Sequence, residues 1–106
     1  MAEKTIMLIC SAGMSTSLLV TKMQKAADEK GLDYKIFATS ATEADSKIEN
    51  DIIDVILLGP QVSYMRAQYE SKVADKGIPV DVINMQDYGM MKGENVLNAA
   101  NELMQS

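Results

Sequence analysis

The stretch TIMLICSAGMSTSLLVTKM, residues Thr5 to Met23, changes character twice. Ile6 to Ile9 is apolar and β-prone, Cys10 closes that run, and Ser11 to Ser17 is rich in small and hydroxyl residues. From Thr16 to Lys30 the apolar residues Leu19, Val20, Met23, Ala26 and Ala27 recur at helical spacing, and Gly31 supplies a stop. A strand therefore hands over to a helix through a short loop, with the lone cysteine of the chain at the junction.

The same alternation continues outward from this unit. Tyr34, Ile36 and Ala38 alternate with Lys35, Phe37 and Thr39, which predicts a second strand, and Thr42…Asp45 opens a helix over Thr42 to Glu49. Ile52 to Leu58 is a third apolar run, broken by Gly59-Pro60. Val62, Met65, Tyr69 and Val73 then mark one face of a helix ending near Gly77. Val80 to Ile83 predicts a fourth strand, Tyr88-Gly89 and Lys92-Gly93 a turn region, and Val96, Leu97, Ala100, Leu103 and Met104 a closing amphipathic helix. Four βα units imply a parallel sheet covered by helices on both faces. The first and third strands are the continuously apolar ones, as central strands are, so the expected order is 2-1-3-4 in one doubly wound α/β domain spanning residues 1–106. That order reverses the winding between the first and third strands and opens a crevice at their carboxyl ends, with Cys10 and Gly59 on its rim.

Composition removes several kinds of chemistry. A single cysteine makes no internal disulfide and no CxxC or thiolate zinc cluster. The absence of histidine removes Ser-His and Cys-His pairs, so any histidine in the chemistry belongs to a partner, and neither a metal nor another cofactor is expected. Fifteen acidic against ten basic residues repel phosphate backbones, which argues against nucleic acid as a partner. No apolar run approaches the ~20 residues that cross a bilayer and no signal peptide opens the chain, so a cytoplasmic protein without direct membrane insertion is expected.

The loop itself is suited to an anion. Small residues let backbone N–H groups curl around one centre, and the positive end of the following helix favours a thiolate over a thiol. An unpaired cysteine often does no more than pack, and Ser15, Thr16 and Ser17 also suit a helix N-cap. The position of Cys10 at the end of a central strand, before a glycine-containing hydroxyl-rich loop, favours chemistry. Neither GxxxxGK[ST] nor GxGxxG is present, so a single phosphate fits better than a nucleotide. The loop resembles the Cys-x5-Arg-Ser pattern of the low-molecular-weight tyrosine phosphatases, whose fold the expected architecture also resembles, but Thr16 stands in the arginine position. Without a guanidinium clamp, water attacks a phosphocysteine slowly, and the site suits holding a phosphoryl group and passing it on.

Three segments, CSAGMSTSLLV (10–20), VILLGPQVSYM (55–65) and VINMQDYGMMKGENVL (82–97), together resemble the IIB component of the bacterial phosphoenolpyruvate-dependent sugar phosphotransferase system, lactose/cellobiose (chitobiose) class. That resemblance implies a phosphotransferase component in which Cys10 accepts a phosphoryl group from phosphohistidine of the IIA component. Cys10 then passes it to a β-linked disaccharide, such as cellobiose or chitobiose, bound by the IIC membrane permease. By motif position, Cys10 is the nucleophile and Ser11, Ala12, Gly13, Met14, Ser15 and Thr16 cradle the phosphoryl oxygens. Ser17, Gln61, Ser63 and Tyr64 are candidates for lining the site or meeting a partner, as well as for starting helices. Arg66, the sole arginine, reads as a solvated helix charge, while Met14, Met90 and Met91 fall in expected loops where adaptable side chains suit docking. A stand-alone phosphatase using the same loop is the alternative. A receiver or flavodoxin-like module fits less well, because Met7 to Ile9 offer no acidic residue and aromatics are few.

Overall fold

Strand β1 (Lys4–Cys10) pairs in parallel with β2 (Tyr34–Ser40) on one side and β3 (Val55–Leu58) on the other. The strand β4 (Val80–Val82) adds to β3, giving the order β2-β1-β3-β4 expected from the sequence. The computed structural model describes residues 4–10 and 13–105. The helices are α1 (Gly13–Glu29), α2 (Ala41–Asn50), α3 (Arg66–Lys72), α4 (Met85–Gly89) and α5 (Gly93–Gln105). Two 3₁₀ segments, Pro60–Met65 and Ala74–Lys76, flank α3.

The sheet is covered on both faces because successive strand residues point to opposite sides. Ile6 and Leu8 of β1 join Val55 and Leu57 of β3 in a core with Leu19, Met23 and Ala27 of α1 and Val96, Leu97 and Ala100 of α5. Met7, Ile9, Ile56 and Leu58 join the second core with Ala44 and Ile48 of α2 and Tyr69 of α3. All of these residues are essentially removed from water. Each large aliphatic one contributes ~1.5–3 kcal/mol by burial, so β1 and β3 could not be moved to an edge cheaply. β2 has only two buried positions in seven and accepts the edge.

Local chemistry ends the elements where the chain must turn. Gly31 adopts φ +74° beyond α1, while Leu32 N–H donates to Ala27 O at 2.9 Å and Gly31 N–H to Asp28 O at 3.1 Å, a Schellman closure that glycine permits without strain. The helix nonetheless starts at Gly13, so Ser15, Thr16 and Ser17 lie within it and are not its caps, and Met14 belongs to its first turn and not to a loop. The helix α2 likewise starts a residue before Thr42, following Ser40, whose hydroxyl pairs with that of Thr42 at 2.9 Å.

The third strand is shorter than the apolar run. Asp54 turns the chain into β3 by receiving Thr5 N–H on its carboxylate at 2.7 Å while its own N–H donates to Thr5 O at 2.9 Å. That leaves Ile53 buried and Ile52 exposed before the strand begins. The helix expected over Val62 to Gly77 is instead the end of the first 3₁₀ segment, in which Val62 is non-helical, then α3 and the second 3₁₀ segment, but the stripe residues Val62, Tyr69 and Val73 are buried as the periodicity predicts. The expected turn region after β4 contains α4, capped by Asn84, whose side-chain oxygen accepts Asp87 N–H at 3.1 Å.

Candidate functional site

The sheet ends its two central strands side by side. Gly59 N–H donates to Ile9 O at 2.8 Å, which carries the β1–β3 ladder one step past β3 and brings Gly59 next to Cys10. A Cβ on Gly59 would lie 3.8 Å from Cys10 Cβ and 3.2 Å from Gln61 Oε1, so the space beside the glycine is bounded by both side chains. Pro60 follows at the first position of the 3₁₀ segment, where its fixed φ and missing N–H start the turn without loss.

Cys10 occupies the last register position of β1, opposite Ser40 of β2. Strand alternation assigns it to the same face as Ile6 and Leu8, the face covered by α1, and the residue is 2% exposed. Its Sγ lies 4.0 Å from Thr39 O, a weak thiol contact with the edge strand. The cysteine is thus at the expected crevice, but covered rather than open at its rim.

One turn into α1, Thr16 is fully buried, and its Oγ1 lies 3.1 Å from Tyr88 OH of α4. A buried hydroxyl needs such a partner, and here each member of the pair supplies it to the other. Tyr88 itself is 8% exposed and packs in the same core as Leu19 and Met23.

A family model described as "PTS system, Lactose/Cellobiose specific IIB subunit" matches residues 5–99. The chain belongs to this family. It is 55% identical to the PTS system galactose-specific EIIB component of Lactococcus lactis subsp. cremoris over 98% of this chain and 99% of that protein. It is 54% identical, over the same shares, to the cellobiose-specific EIIB component of Lactococcus lactis subsp. lactis. The solution structure of a cellobiose-specific phosphotransferase IIB component from Borrelia burgdorferi superposes with a TM-score of 0.76 at 38% identity, covering 96% of this chain and 92% of the other.

Within this IIB chain the residues singled out by sequence separate into two sets. Cys10 and Gln61 both lie beside Gly59 at the carboxyl ends of β1 and β3, whereas Thr16, one turn into α1, meets Tyr88 of α4. Gly13, Met14 and Ser15 form the first turn of α1, whereas Ser11 and Ala12 lie outside the described residues. Ser17, Ser63 and Tyr64 are exposed, Tyr64 at 80%, and Ser17 O accepts the Thr21 hydroxyl at 3.1 Å. Arg66 starts α3 and, while exposed as expected, pairs with Glu70 and with Asp81, each at 3.4 Å. Met90 is exposed, whereas Met91 packs against the α1–α5 core.

Tyr88 is not singled out by sequence, where Tyr88-Gly89 reads as a turn. The available signal is Asn84 followed three residues later by Asp87, a helix-opening pattern that places Tyr88 on a helix. Among the described residues no group of three or more His, Cys, Asp or Glu side chains is placed to hold a metal ion. No helix among them is long and apolar enough to cross a membrane.

Proposed function

We propose that this IIB component is a cytoplasmic phosphoryl carrier whose working atom is Cys10 Sγ. The sulfur attacks the phosphorus of a phosphohistidine on the IIA protein: an S–P bond forms as the N–P bond breaks, and the imidazole leaves. A hydroxyl of a sugar held by the IIC permease then attacks the same phosphorus, forming an O–P bond and releasing the thiolate. Backbone N–H groups from Ser11 to Thr16, at the positive end of α1, stabilise the phosphoryl oxygens in both steps.

The observation that carries this reading is the position of Cys10 at the carboxyl end of a central strand, three residues before the start of α1 and beside Gly59. Gln61, whose side-chain oxygen lies against Gly59, assists in holding the group. The sole arginine supports transfer over hydrolysis, because Arg66 is committed to Glu70 and Asp81 at the start of α3. Because Cys10 is 2% exposed, docking of the donor has to uncover its sulfur. The sugar is a β-linked disaccharide such as cellobiose or chitobiose. Relatives named for galactose and for cellobiose are almost equally identical to this chain, which accords with a sugar pocket that lies in IIC.

Incubation with phosphoenolpyruvate, the general phosphotransfer proteins and a cognate IIA is expected to add one phosphate, mapped to Cys10 by mass spectrometry. Cys10→Ser is expected to fold and to accept none. An unchanged mass with a IIA that phosphorylates another IIB protein would overturn the reading, and turnover of an aryl phosphate without IIA would replace it with a phosphatase.

A further inference from the structure

We propose that Tyr88 is a positioning residue for phosphoryl transfer, acting through the hydroxyl of Thr16. The inference rests on the reading of Cys10 as the phosphoryl carrier and adds a residue from the far end of the sequence. Thr16 and Tyr88 are 72 positions apart, yet their hydroxyl oxygens lie 3.1 Å apart in a buried setting.

A threonine in a helix has two accessible side-chain rotamers, one of which returns its hydroxyl to the carbonyl of the preceding turn. The contact with Tyr88 gives the oxygen of this hydroxyl a fixed partner on α4. A phenol is the more acidic of the two hydroxyls and therefore the better donor. With Tyr88 donating to Thr16 Oγ1, the hydrogen of Thr16 remains available to an acceptor at the start of α1, where the phosphoryl oxygens bind. A dianionic phosphoryl group favours this orientation, because it accepts hydrogen bonds and donates none.

The scaffold gives Tyr88 a fixed place from which to act. α4 is anchored by the Asn84 cap, and the Tyr88 ring is packed in the core shared by α1 and α5. Tyr88 N–H donates to Asn84 O at 2.9 Å, so ring and backbone are both held.

The test compares single-turnover phosphorylation of Cys10 by phosphorylated IIA, read by rapid quench and intact mass, at a temperature where circular dichroism reports each protein fully folded. Tyr88→Phe keeps the ring in the core, and the expected rate is roughly tenfold lower, because without the phenol to orient it the Thr16 hydroxyl loses its hydrogen bond to the charged phosphoryl group. Thr16→Val, of nearly the same shape, is expected to lose as much or more. Thr16→Ser, which keeps the hydroxyl, is expected to stay within about threefold of the natural rate. Tyr88→Phe added to Thr16→Val is expected to cost nothing further, because Tyr88 acts only through Thr16.

A folded Tyr88→Phe protein that transfers at the natural rate, or losses that simply multiply in the double variant, would overturn the inference while leaving Cys10 as the carrier. Failure of the unaltered protein to take phosphate from a working IIA would sink both. The ³¹P resonance of the phosphoprotein gives an independent readout: it is expected to shift in Tyr88→Phe, and an identical resonance counts against contact through Thr16.

Discussion

Gly93, the first residue of α5, meets the backbone of α1 at Lys22. A Cβ on Gly93 would lie 2.6 Å from the Lys22 carbonyl carbon and 2.7 Å from Met23 N, closer than atoms can approach without displacement. Because the obstacle is backbone inside a helix, a flexible side chain cannot swing aside to relieve it. The absence of a side chain at Gly93 lets α5 lie down on α1, and so fixes the helix whose first turn follows Cys10.

Gly93→Ala is therefore expected to destabilise the protein by ~1–3 kcal/mol, despite the better helix propensity of alanine, because overpacking outweighs propensity at this distance. Urea unfolding read by circular dichroism measures the loss. A midpoint equal to or above that of the natural protein would refute the close crossing.

Burial also controls Cys10. At 2% exposure the thiol is expected to react with a bulky disulfide reagent at least about tenfold more slowly in the native protein than in the urea-unfolded chain. Spectrophotometric release of the reagent's thiol gives both rates. Equal rates would mean that the sulfur is open in the resting protein, and docking would then have nothing to uncover.

Tyr69 makes stability depend on alkaline pH. Burial first, and then the negative Asp45, raise its phenol above the ordinary value of 10.0, against the opposing pull of Lys72. A phenol is neutral when protonated, so the folded chain holds this proton more tightly than the unfolded chain does. The contribution is fully present below the unfolded value and is lost as pH rises from about 10 through the higher folded value. Tyr69→Phe removes that slope along with the hydrogen bond to Ala41 O at 3.3 Å. Its urea midpoint is expected to fall less than that of the natural protein between about pH 8 and about pH 11. Parallel losses in the two proteins would assign the alkaline sensitivity elsewhere.

Much of the fold is legible along the chain because periodicity is local. The unbroken run at Ile6 to Ile9 and the one ending at Leu58 predict strands buried on both faces, and these are the two central strands. The alternation from Tyr34 to Thr39 predicts an edge, where β2 lies. Helix starts are less legible, because they depend on partners outside the segment. The hydroxyl cluster Ser15 to Ser17 carries capping chemistry, yet α1 extends back to Gly13, with Thr16 buried in its first turns against Tyr88. Asp54 likewise interrupts an apolar run at a point set by its hydrogen bond to Thr5, 49 residues away.

By itself the sequence determined the sheet order, the two covered faces and the junction at which Cys10 sits, since each follows from the spacing of apolar residues along consecutive segments. Only the tertiary structure decided that Cys10 is covered, that the Gln61 side chain lies against Gly59, and that Tyr88 meets Thr16. Hydropathy spacing specifies which side of an element is buried, but not which polar atom on another element it will face. That pairing is settled when the helices pack and each buried hydroxyl must find a partner.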